Sequence, residues 1–272
     1  MVAKVISVIN MKGGVGKTTL SFNLAFELSL RGKKVLLIDL DPQSNATIVS
    51  MSDSELSTHK STKKTMADAL MRSYRPIAPI RQLTPPPLLI SDFIFTRNRS
   101  GSASFDFIPS DLKVSTMLRS LPLGPFDLDH LLTTSVLNTY NYILLDCSPT
   151  YSTLTNMALN SSQGVLIPMI ADSFGVWGTN LMKEVLNDHK SEFGGGPDRV
   201  GVVFTIWEEQ QHQRDFRANI VRMWDPQDVF QNKISKSNWY KIANGKRQSV
   251  SQTRSTEGVE FNNFLNEFIT HF

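Results

Sequence analysis

The chain has 272 residues, 40% of them hydrophobic, and a formal net charge of +3, which fits a soluble globular protein and by itself implies no particular partner. Its one cysteine, Cys147, excludes a disulfide framework and a multi-cysteine metal or cluster site. No apolar run is long enough to span a membrane and no signal peptide precedes the first strand, so we expect a cytoplasmic protein with no integral membrane association.

The first thirty residues predict a strand, a glycine-rich loop and a helix in that order. Residues 5–9 form a short β-branched run of the kind found in strands buried on both faces. Apolar residues then recur at helical spacing from Leu20 to about Arg31, and Gly32 provides a stop. A loop between such a strand and helix lies against the helix N-terminus, where the helix dipole favours a bound anion.

The loop itself, residues 11–19 (MKGGVGKTT), predicts a phosphate-binding site. Its glycines can take backbone angles closed to other residues, so several N–H groups can point at one anion. Lys17 supplies a charge for the outer phosphates, and the Thr18 hydroxyl is placed to ligate Mg²⁺. The alternative is a chance glycine turn, expected in roughly 1% of chains of this size from average residue frequencies. The predicted nucleotide-binding residues are Lys12, Gly13, Gly14, Val15, Gly16, Lys17, Thr18 and Thr19.

Two positions depart from the usual loop pattern, G-x-x-x-x-G-K-[ST]. Met11 stands where the pattern has its first glycine, and Lys12 adds a second lysine just before the glycine pair. Because Lys17 already serves the bound phosphates, the presence of Lys12 at the rim of the loop calls for another explanation.

Beyond the loop, apolar strand-like runs alternate with helical patterns, which is typical of a parallel sheet with crossover helices. Strands are predicted at residues 34–39, 105–108, 142–146, 165–170 and 200–206, and helices at 65–73, from 111 and at 127–137. We interpret residues 75–104 as a long surface excursion, with a possible short strand at 88–90, because of the run TPPP at 84–87. We therefore expect one α/β domain over residues 1–272, a three-layer P-loop NTPase fold with a mostly parallel, doubly wound sheet flanked by helices.

Three carboxylates follow predicted strands, at the end where nucleotides bind in sheets of this class. Asp146 ends the strand at 142–146, from which a carboxylate can reach a magnesium ion beside Thr18; a helix cap or a solvated strand end is the alternative. Asp39 and Asp41 lie two residues apart, so that one can orient or deprotonate water while the other tunes metal-bound water. A simple turn opened by Asp-Pro is the alternative there.

Three segments in this order resemble the ParA/MinD family of deviant-Walker ATPases. They are residues 12–19 (KGGVGKTT), 40–47 (LDPQSNAT) and 143–149 (ILLDCSP). Further similarity lies at 107–110 (FIPS) and 166–168 (LIP), and it weakens after about residue 172. These motifs are specific for the family and less so for one branch of it.

The resemblance implies an ATP hydrolase that uses ATP and Mg²⁺ and forms a homodimer around two ATP molecules. The family lysine that matches Lys12 reaches the partner's phosphates, as a trans arginine finger does, a contact worth roughly 10³ to 10⁵ in rate. The family assigns water activation to the position of Asp41, and a magnesium-side role to Asp39 and Asp146 beside Thr18. The implied catalytic residues are therefore Lys12, Lys17 and Asp41. Hydrolysis in the family is slow until a ParB-like or adaptor protein stimulates it.

The end of the chain bears on the branch of the family. Residues 257–271 predict a helix with one apolar face, formed by Phe261, Phe264, Leu265, Phe268 and Ile269 and continued by Phe272. A membrane-binding helix of the MinD type carries basic residues, whereas this one carries Glu257, Glu260 and Glu267. We therefore expect a helix that docks on the core.

A basic stretch at 229–256, which contains no Asp or Glu, favours the ParA-like branch. Proteins of that branch bind DNA non-specifically, and two basic patches in one dimer would bind DNA cooperatively. An ordinary solvated surface is the alternative, and Trp239 within the stretch is expected to pack rather than to stack on bases. The predicted DNA-binding residues are Lys233, Lys236, Lys241, Lys246, Arg247 and Arg254.

The sequence thus predicts a ParA-like switch that binds DNA as an ATP-bound dimer and positions or segregates a cargo, which is a plasmid, a chromosome or a protein assembly. We expect such a protein in the cytoplasm, associated with the nucleoid. A MinD-like membrane-cycling ATPase and a metabolic P-loop enzyme of the same superfamily are the alternatives.

Overall fold

The chain folds around one mostly parallel sheet, in a computed structural model that describes residues 2–73, 89–98, 104–120 and 123–272. Seven strands form the sheet in these ranges. They are β1 (Lys4–Val8), β2 (Val35–Asp39), β3 (Phe95–Asn98), β4 (Ser104–Ile108), β5 (Tyr142–Asp146), β6 (Gly164–Met169) and β7 (Arg199–Phe204). Their order across the sheet is β3-β4-β2-β5-β1-β6-β7, so β1 lies between two strands that come much later in the chain.

The strand pairings set which residues meet at the carboxyl edge of the sheet. All pairs are parallel except β3 with β4, which is antiparallel. In the centre, Asp146 lies opposite Val8 of β1 on one side and opposite Asp39 of β2 on the other. The strands therefore place two of the predicted site carboxylates side by side at the end of β1, where the phosphate loop begins.

Helices follow the strands and cover both faces of the sheet. In the described residues they are α1 (Lys17–Leu30), α2 (Asn45–Ser50), α3 (Asp53–Thr62), α4 (Met66–Ser73), α5 (Lys113–Ser120), α6 (Thr134–Thr139), α7 (Thr153–Ser161), α8 (Ser173–Phe193), α9 (Gln211–Val221), α10 (Asn238–Gly245), α11 (Val250–Thr253) and α12 (Ser255–His271). Three further segments of the described residues, Ile90–Asp92, Asp127–His130 and Pro226–Asp228, form 3-10 turns.

Two hydrophobic clusters, one on each face, make the fold three-layered. Alternate strand residues such as Ile38 and Leu145 pack with α4, α5, α7, α8 and α9. Their neighbours Leu37 and Leu144 point the other way and pack with α1, α2, α10, α11 and α12. The strands are thus apolar on both faces, which is why they appear in the sequence as continuous rather than alternating runs. The α/β, doubly wound, mostly parallel sheet expected from the sequence is confirmed.

The predicted excursion at 75–104 needs a correction where the structure describes it. Residues 95–98 form β3, an edge strand that the sequence did not predict, whereas residues 74–88 and 99–103 lie outside the described ranges. The possible strand at 88–90 is wrong at its described end, because Ile90 begins a 3-10 turn. The Asp92 carbonyl accepts the Lys64 N–H at 3.0 Å, and the Ser91 carbonyl accepts the Lys63 Nζ at 3.1 Å, so these carbonyls are bonded to the end of α3 instead of to a strand.

The continuous helix predicted at 127–137 is also wrong. The segment divides into the 3-10 turn Asp127–His130 and the short helix α6. The Asp129 carboxylate accepts a hydrogen bond from Ser161 Oγ at 2.6 Å, which fixes the turn to the end of α7. Thr133 then has an extended backbone, with ψ at 163°, so the first segment cannot continue into α6.

The last helix docks on the core, as expected from its acidic charge. Four side chains of its apolar face are fully buried: Phe261, Phe264, Leu265 and Phe268. The Phe264 ring lies 5.4 Å from that of Phe230 and 5.6 Å from that of Phe261, so aromatic edge contacts add to the apolar burial. None of the helices in the described residues is long and apolar enough to span a membrane.

We expect Phe264→Ala to lower the free energy of unfolding by about 3–5 kcal/mol, because it empties a fully buried site beside three aromatic rings. Val259→Ala is the matched control, since Val259 lies on the same helix and is 63% exposed, and its effect should stay within about 0.5 kcal/mol. Urea unfolding followed by circular dichroism measures both. Equal effects would contradict the docking of α12.

Candidate nucleotide site

The phosphate loop has the backbone shape that its glycines suggest. Gly14 and Gly16 have φ values of 77° and 88°, in the left-handed region that glycine adopts without strain. Gly16 immediately precedes α1, so the loop lies against the N-terminus of that helix. Met11, at the position of the missing glycine, is half-buried against the apolar core, and this packing explains how a large residue is accommodated there.

Lys17 is buried beneath the loop that it is expected to serve. Its Nζ donates to the carbonyls of Asn10 and Lys12, both at 2.9 Å, which holds the ammonium inside the curve of the loop. Burial lowers the pKa of Lys17, while the nearby carboxylates Asp146 and Asp41 act in the opposite direction. The Lys17 ammonium has three N–H groups, and the two carbonyls use two of them. The third can donate to an anionic ligand at this position.

Asp146 joins the end of β5 to the first turns of α1. Its two oxygens accept hydrogen bonds from Thr18 Oγ1 at 2.8 Å and from Ser21 Oγ at 2.9 Å. Ser21 was missed in the sequence, although its position three residues after Thr18 places it on the same side of the helix. Sequence spacing alone could therefore have identified it as a second hydroxyl for the same carboxylate.

Asp39 and Asp41 organise the loop between β2 and α2. Asp39 accepts from the Asp41 N–H at 3.0 Å and from the backbone and hydroxyl of Thr47 at 2.8 and 2.7 Å. The Thr47 hydroxyl in turn accepts from the Ser110 N–H at 2.9 Å, after β4. Asp41 accepts the Gln43 N–H at 2.9 Å through one oxygen. Asp39 is thus fixed by protein donors, whereas the second Asp41 oxygen faces the cavity beside the loop.

The carboxylates and the Thr18 hydroxyl fit a divalent cation. Burial raises the pKa of Asp146 to about 6, and burial together with Asp146 holds the pKa of Asp39 well above its usual range. Two adjacent buried carboxylates ionise together only when a positive charge lies beside them. Their oxygen atoms are the hard ligands that Mg²⁺ prefers. The structure therefore brings together the three residues predicted to hold magnesium.

Lys12 contacts the start of α8 within its own chain. Its Nζ makes an ion pair with Asp172 at 2.8 Å and lies 5.2 Å from the centre of the Phe174 ring, which is exposed. Asp172 also accepts the Gly175 N–H at 2.6 Å and so caps α8. Asp172 was missed in the sequence; its place between a strand and a helix indicated a cap, but not a partner for Lys12.

Two cavities open on either side of the first turn of α1, and Thr19 lines both. One, of about 400 Å³, contains the loop glycines, Lys17, Thr18 and Asp41. The other, of about 390 Å³, is mainly apolar and lies between Gly14 and Gly16 on one side and residues 205–206 and 234–241 on the other. The sequence did not predict that residues 205–206 and 234–241 line a cavity, because they do so only once β7 and α10 are folded against α1.

The predicted DNA-binding residues are not a uniform basic patch. Lys233 pairs with Glu209 at 3.1 Å and covers the Trp207 ring, and Lys236 pairs with Glu208 at 3.2 Å. Arg254 lies 3.8 Å from Glu257 and over the half-buried ring of Trp239, which packs on the core as expected. These carboxylates come from outside the stretch, so the absence of Asp and Glu within residues 229–256 does not make its surface wholly basic.

The remaining three basic residues lie on or just after α10. Lys241 and Lys246 are exposed, and Lys241 borders the apolar cavity. Arg247 is half-buried, with a φ of 53°, and its carbonyl accepts a hydrogen bond from Arg97 of β3 at 3.1 Å. All three therefore lie on α10 or within two residues of its end.

Comparison with known proteins gives the family. A family model described as an AAA domain matches residues 3–193. The chain is 32% identical over 180 residues to the sporulation initiation inhibitor protein Soj of Bacillus subtilis, a match that covers 66% of this chain and 63% of Soj. It is 27% identical over 229 residues to the chromosome partitioning protein ParA of Caulobacter vibrioides, covering 79% and 76% of the two chains. The chain thus spans less than two thirds of the length of Soj.

Solved structures share the fold. A Cyanothece McdA–ATP complex has a TM-score of 0.77 at 21% identity, covering 98% of this chain and 96% of that one. A putative plasmid partition protein from Borrelia burgdorferi bound to AMPPNP has a TM-score of 0.74 at 21% identity, covering 99% and 100%. The fold also recurs in a cobyrinic acid a,c-diamide synthase from Mycobacterium smegmatis, with a TM-score of 0.68 at 20% identity and 87% coverage of both chains.

The family model and the sequence similarity to Soj and ParA indicate the same class of protein as the geometry of the loop, the second lysine and the buried carboxylates. The chain therefore belongs to the ParA/MinD family of P-loop ATPases.

Proposed function

We propose that this protein is a ParA-like ATP hydrolase that dimerises with ATP, binds DNA non-specifically in that state, and positions or segregates a cargo. The observation that carries the proposal is the place of Lys12. It lies at the rim of a phosphate loop whose inner position is already filled by Lys17, and its Nζ is paired with Asp172 instead. Residues 1–272 act as a single ATPase domain in this proposal.

The nucleotide site divides the work among its residues. Lys17 and the loop N–H groups hold the outer phosphates, while Thr18, Asp39 and Asp146 hold Mg²⁺. The bound ion supplies the positive charge that neutralises the phosphate oxygens. Asp41 orients or deprotonates the attacking water, because one of its oxygens stays bonded to the Gln43 N–H while the other faces the cavity.

The apolar cavity suits the base of the nucleotide. It adjoins Gly14, Gly16 and Thr19, and its other wall includes Ile206, Ile234 and Tyr240. A flat, mainly apolar ring gains most from such a surface, with backbone and hydroxyl groups at the rim to orient it. These residues are the proposed contacts for adenine.

Lys12 makes the site shared between two chains in this proposal. Within one chain the Lys12 ammonium is paired with Asp172, whereas the Lys17 ammonium is held inside the loop. That ion pair is partly exposed and is worth about 1 kcal/mol or less, so a facing phosphate can replace Asp172 as its partner. A homodimer in the ATP state would supply that phosphate.

The basic residues on and just after α10 form the proposed DNA-binding surface. Lys241, Lys246 and Arg247 lie on or just after a helix that borders the nucleotide cavities, so a dimer would present two such sets to one duplex. The MinD-like alternative is disfavoured by α12, whose apolar face is buried in the core and so is not available to a lipid surface. A ParB-like or adaptor partner would stimulate hydrolysis, and the protein would work in the cytoplasm on the nucleoid.

The proposal is tested by DNA retention in ATP, in ADP and without nucleotide. Wild type should bind DNA at least about tenfold more tightly in ATP, since two linked patches bind cooperatively. Asp41→Ala should hold this state longer because it retains ATP but loses the group that activates water. Anionic liposomes are the parallel probe. Retention that ignores nucleotide, or binding to liposomes in place of DNA, contradicts the proposal.

Mixing two inactive variants tests whether Lys12 acts across the dimer. Lys12→Ala and Asp41→Ala should each lose ATP turnover, whereas an equal mixture should regain about a quarter of the wild-type rate, because about half of the dimers are mixed and one of the two sites in each is complete. If Lys12 acts within its own chain, no site in the mixture is complete. A mixture as inactive as its components therefore excludes the shared site.

Lys246→Glu should weaken DNA binding in ATP by at least about tenfold. It should also lower the slope of the salt dependence by about one unit for each DNA phosphate that Lys246 neutralises in wild type. Lys190→Glu is the matched control, because Lys190 is an exposed lysine on α8, which covers the opposite face of the sheet. Fluorescence anisotropy across a salt series measures both. Equal weakening in the two variants would mean that net charge, rather than this surface, governs binding.

A further inference from the structure

One side chain joins the nucleotide site to the basic residues after α10. Asn244, in the last turn of α10, donates from Nδ2 to Thr19 Oγ1 at 3.1 Å. Thr19 lies in the first turn of α1 and lines both cavities, and Asn244 itself lines the cavity that contains the phosphate loop. The contact therefore reaches from the place expected to hold phosphates directly to the helix that precedes Lys246 and Arg247.

The direction of this hydrogen bond matters for a bound anion. Because Asn244 is the donor, the Thr19 oxygen acts as acceptor and its own proton stays available. A phosphate oxygen in the cavity can accept that proton, which completes a chain from the amide through the hydroxyl to the anion. Hydrogen bonds in such a chain polarise one another, so the anion strengthens the hold of Thr19 on Asn244.

The Asn244 side chain has little else to hold it. Its Oδ1 is buried and, among the residues that the structure describes, accepts no hydrogen bond, which is unfavourable for a buried polar atom. The contact with Thr19 is thus what orients the amide, and the amide follows Thr19 when the hydroxyl turns toward a ligand.

The rest of the turn is tied to parts of the protein that do not line the cavities. The Val250 N–H donates to Asn23 Oδ1 at 2.8 Å, and the Ser251 hydroxyl donates to Glu27, one and two turns further along α1. On the other side, the Asn244 carbonyl accepts the Arg247 N–H at 2.9 Å, which closes the turn that carries Lys246. Asn244 therefore links the cavity at the phosphate loop to this segment, and the bonds at residues 250 and 251 are its fixed end.

We propose that Asn244 is a positioning residue that couples nucleotide at Thr19 to the segment 241–254, so that bound phosphate sets the position of Lys246 and Arg247. This inference rests on the proposed ATP-dependent DNA binding and assigns a residue to its transmission within one chain. It adds to the effect of dimerisation, because the coupling needs no partner subunit.

Two substitutions at this position separate transmission from packing. Asn244→Ala removes the donor, and at saturating nucleotide the ratio of DNA affinities in ATP and ADP should fall at least about tenfold. Asn244→Asp keeps the size of the side chain but can only accept, so it takes the Thr19 proton away from the phosphate and should lose the coupling as well. Recovery of wild-type behaviour by Asn244→Asp would reduce Asn244 to a space-filling role. Asn263→Ala, an exposed position on α12, is the control.

Hydrogen–deuterium exchange of residues 241–254 gives a readout that needs no DNA. ATP should slow exchange in this segment about tenfold in wild type and Asn263→Ala, and leave it unchanged in Asn244→Ala and Asn244→Asp. If wild type shows this protection but never binds DNA, the coupling stands and the proposed DNA-binding function falls. If ATP protects the segment equally in wild type and Asn244→Ala, or in neither, the coupling is overturned. Circular dichroism of each variant confirms that it is folded.

Discussion

The register of the three central strands is the constraint on which the site depends. Because β5 lies between β2 and β1, Asp146 is brought level with Asp39 on one side and with the start of the phosphate loop on the other. A shift of one residue would turn Asp146 toward the opposite face and away from Thr18 and Ser21. The apolar residues of both faces fix this register, so the core and the site are held by the same pairing.

What the sequence predicts well is local. The strand, loop and helix around residues 11–19 follow from neighbouring residues, and so does the position of Asp146 at a strand end. Lys17 binds inside its own loop, through the carbonyls of Asn10 and Lys12, so nothing distant is needed to place it. The helical spacing of Phe264 and its apolar neighbours likewise predicts the buried face of α12.

What the sequence misses depends on partners far along the chain. The apolar residues 93–95 lead into the edge strand β3, but the rest of the strand is polar. Its buried Arg97 donates to the carbonyls of Ser50 and Arg247 and lies 3.8 Å from the Glu55 carboxylate. The basic stretch at 229–256 contains no acidic residue of its own. In the fold, however, Glu209 from the loop after β7 forms an ion pair with Lys233. Carboxylates from outside the stretch therefore lie against several of its cations, which the composition of the stretch alone cannot reveal.

The central place of β1 also governs when the molecule can form during synthesis. Strand β1 pairs with residues 142–146 on one side and with residues 164–166 on the other. Until those residues have left the ribosome, β1 has no neighbours and the loop after it has no Asp146 to bond. Such distant pairing is slow to close, because the intervening chain must be ordered first. A ligand that needs the Asp146 side of the phosphate loop therefore stabilises only chains that extend past residue 146, and acts on late steps of folding rather than the first.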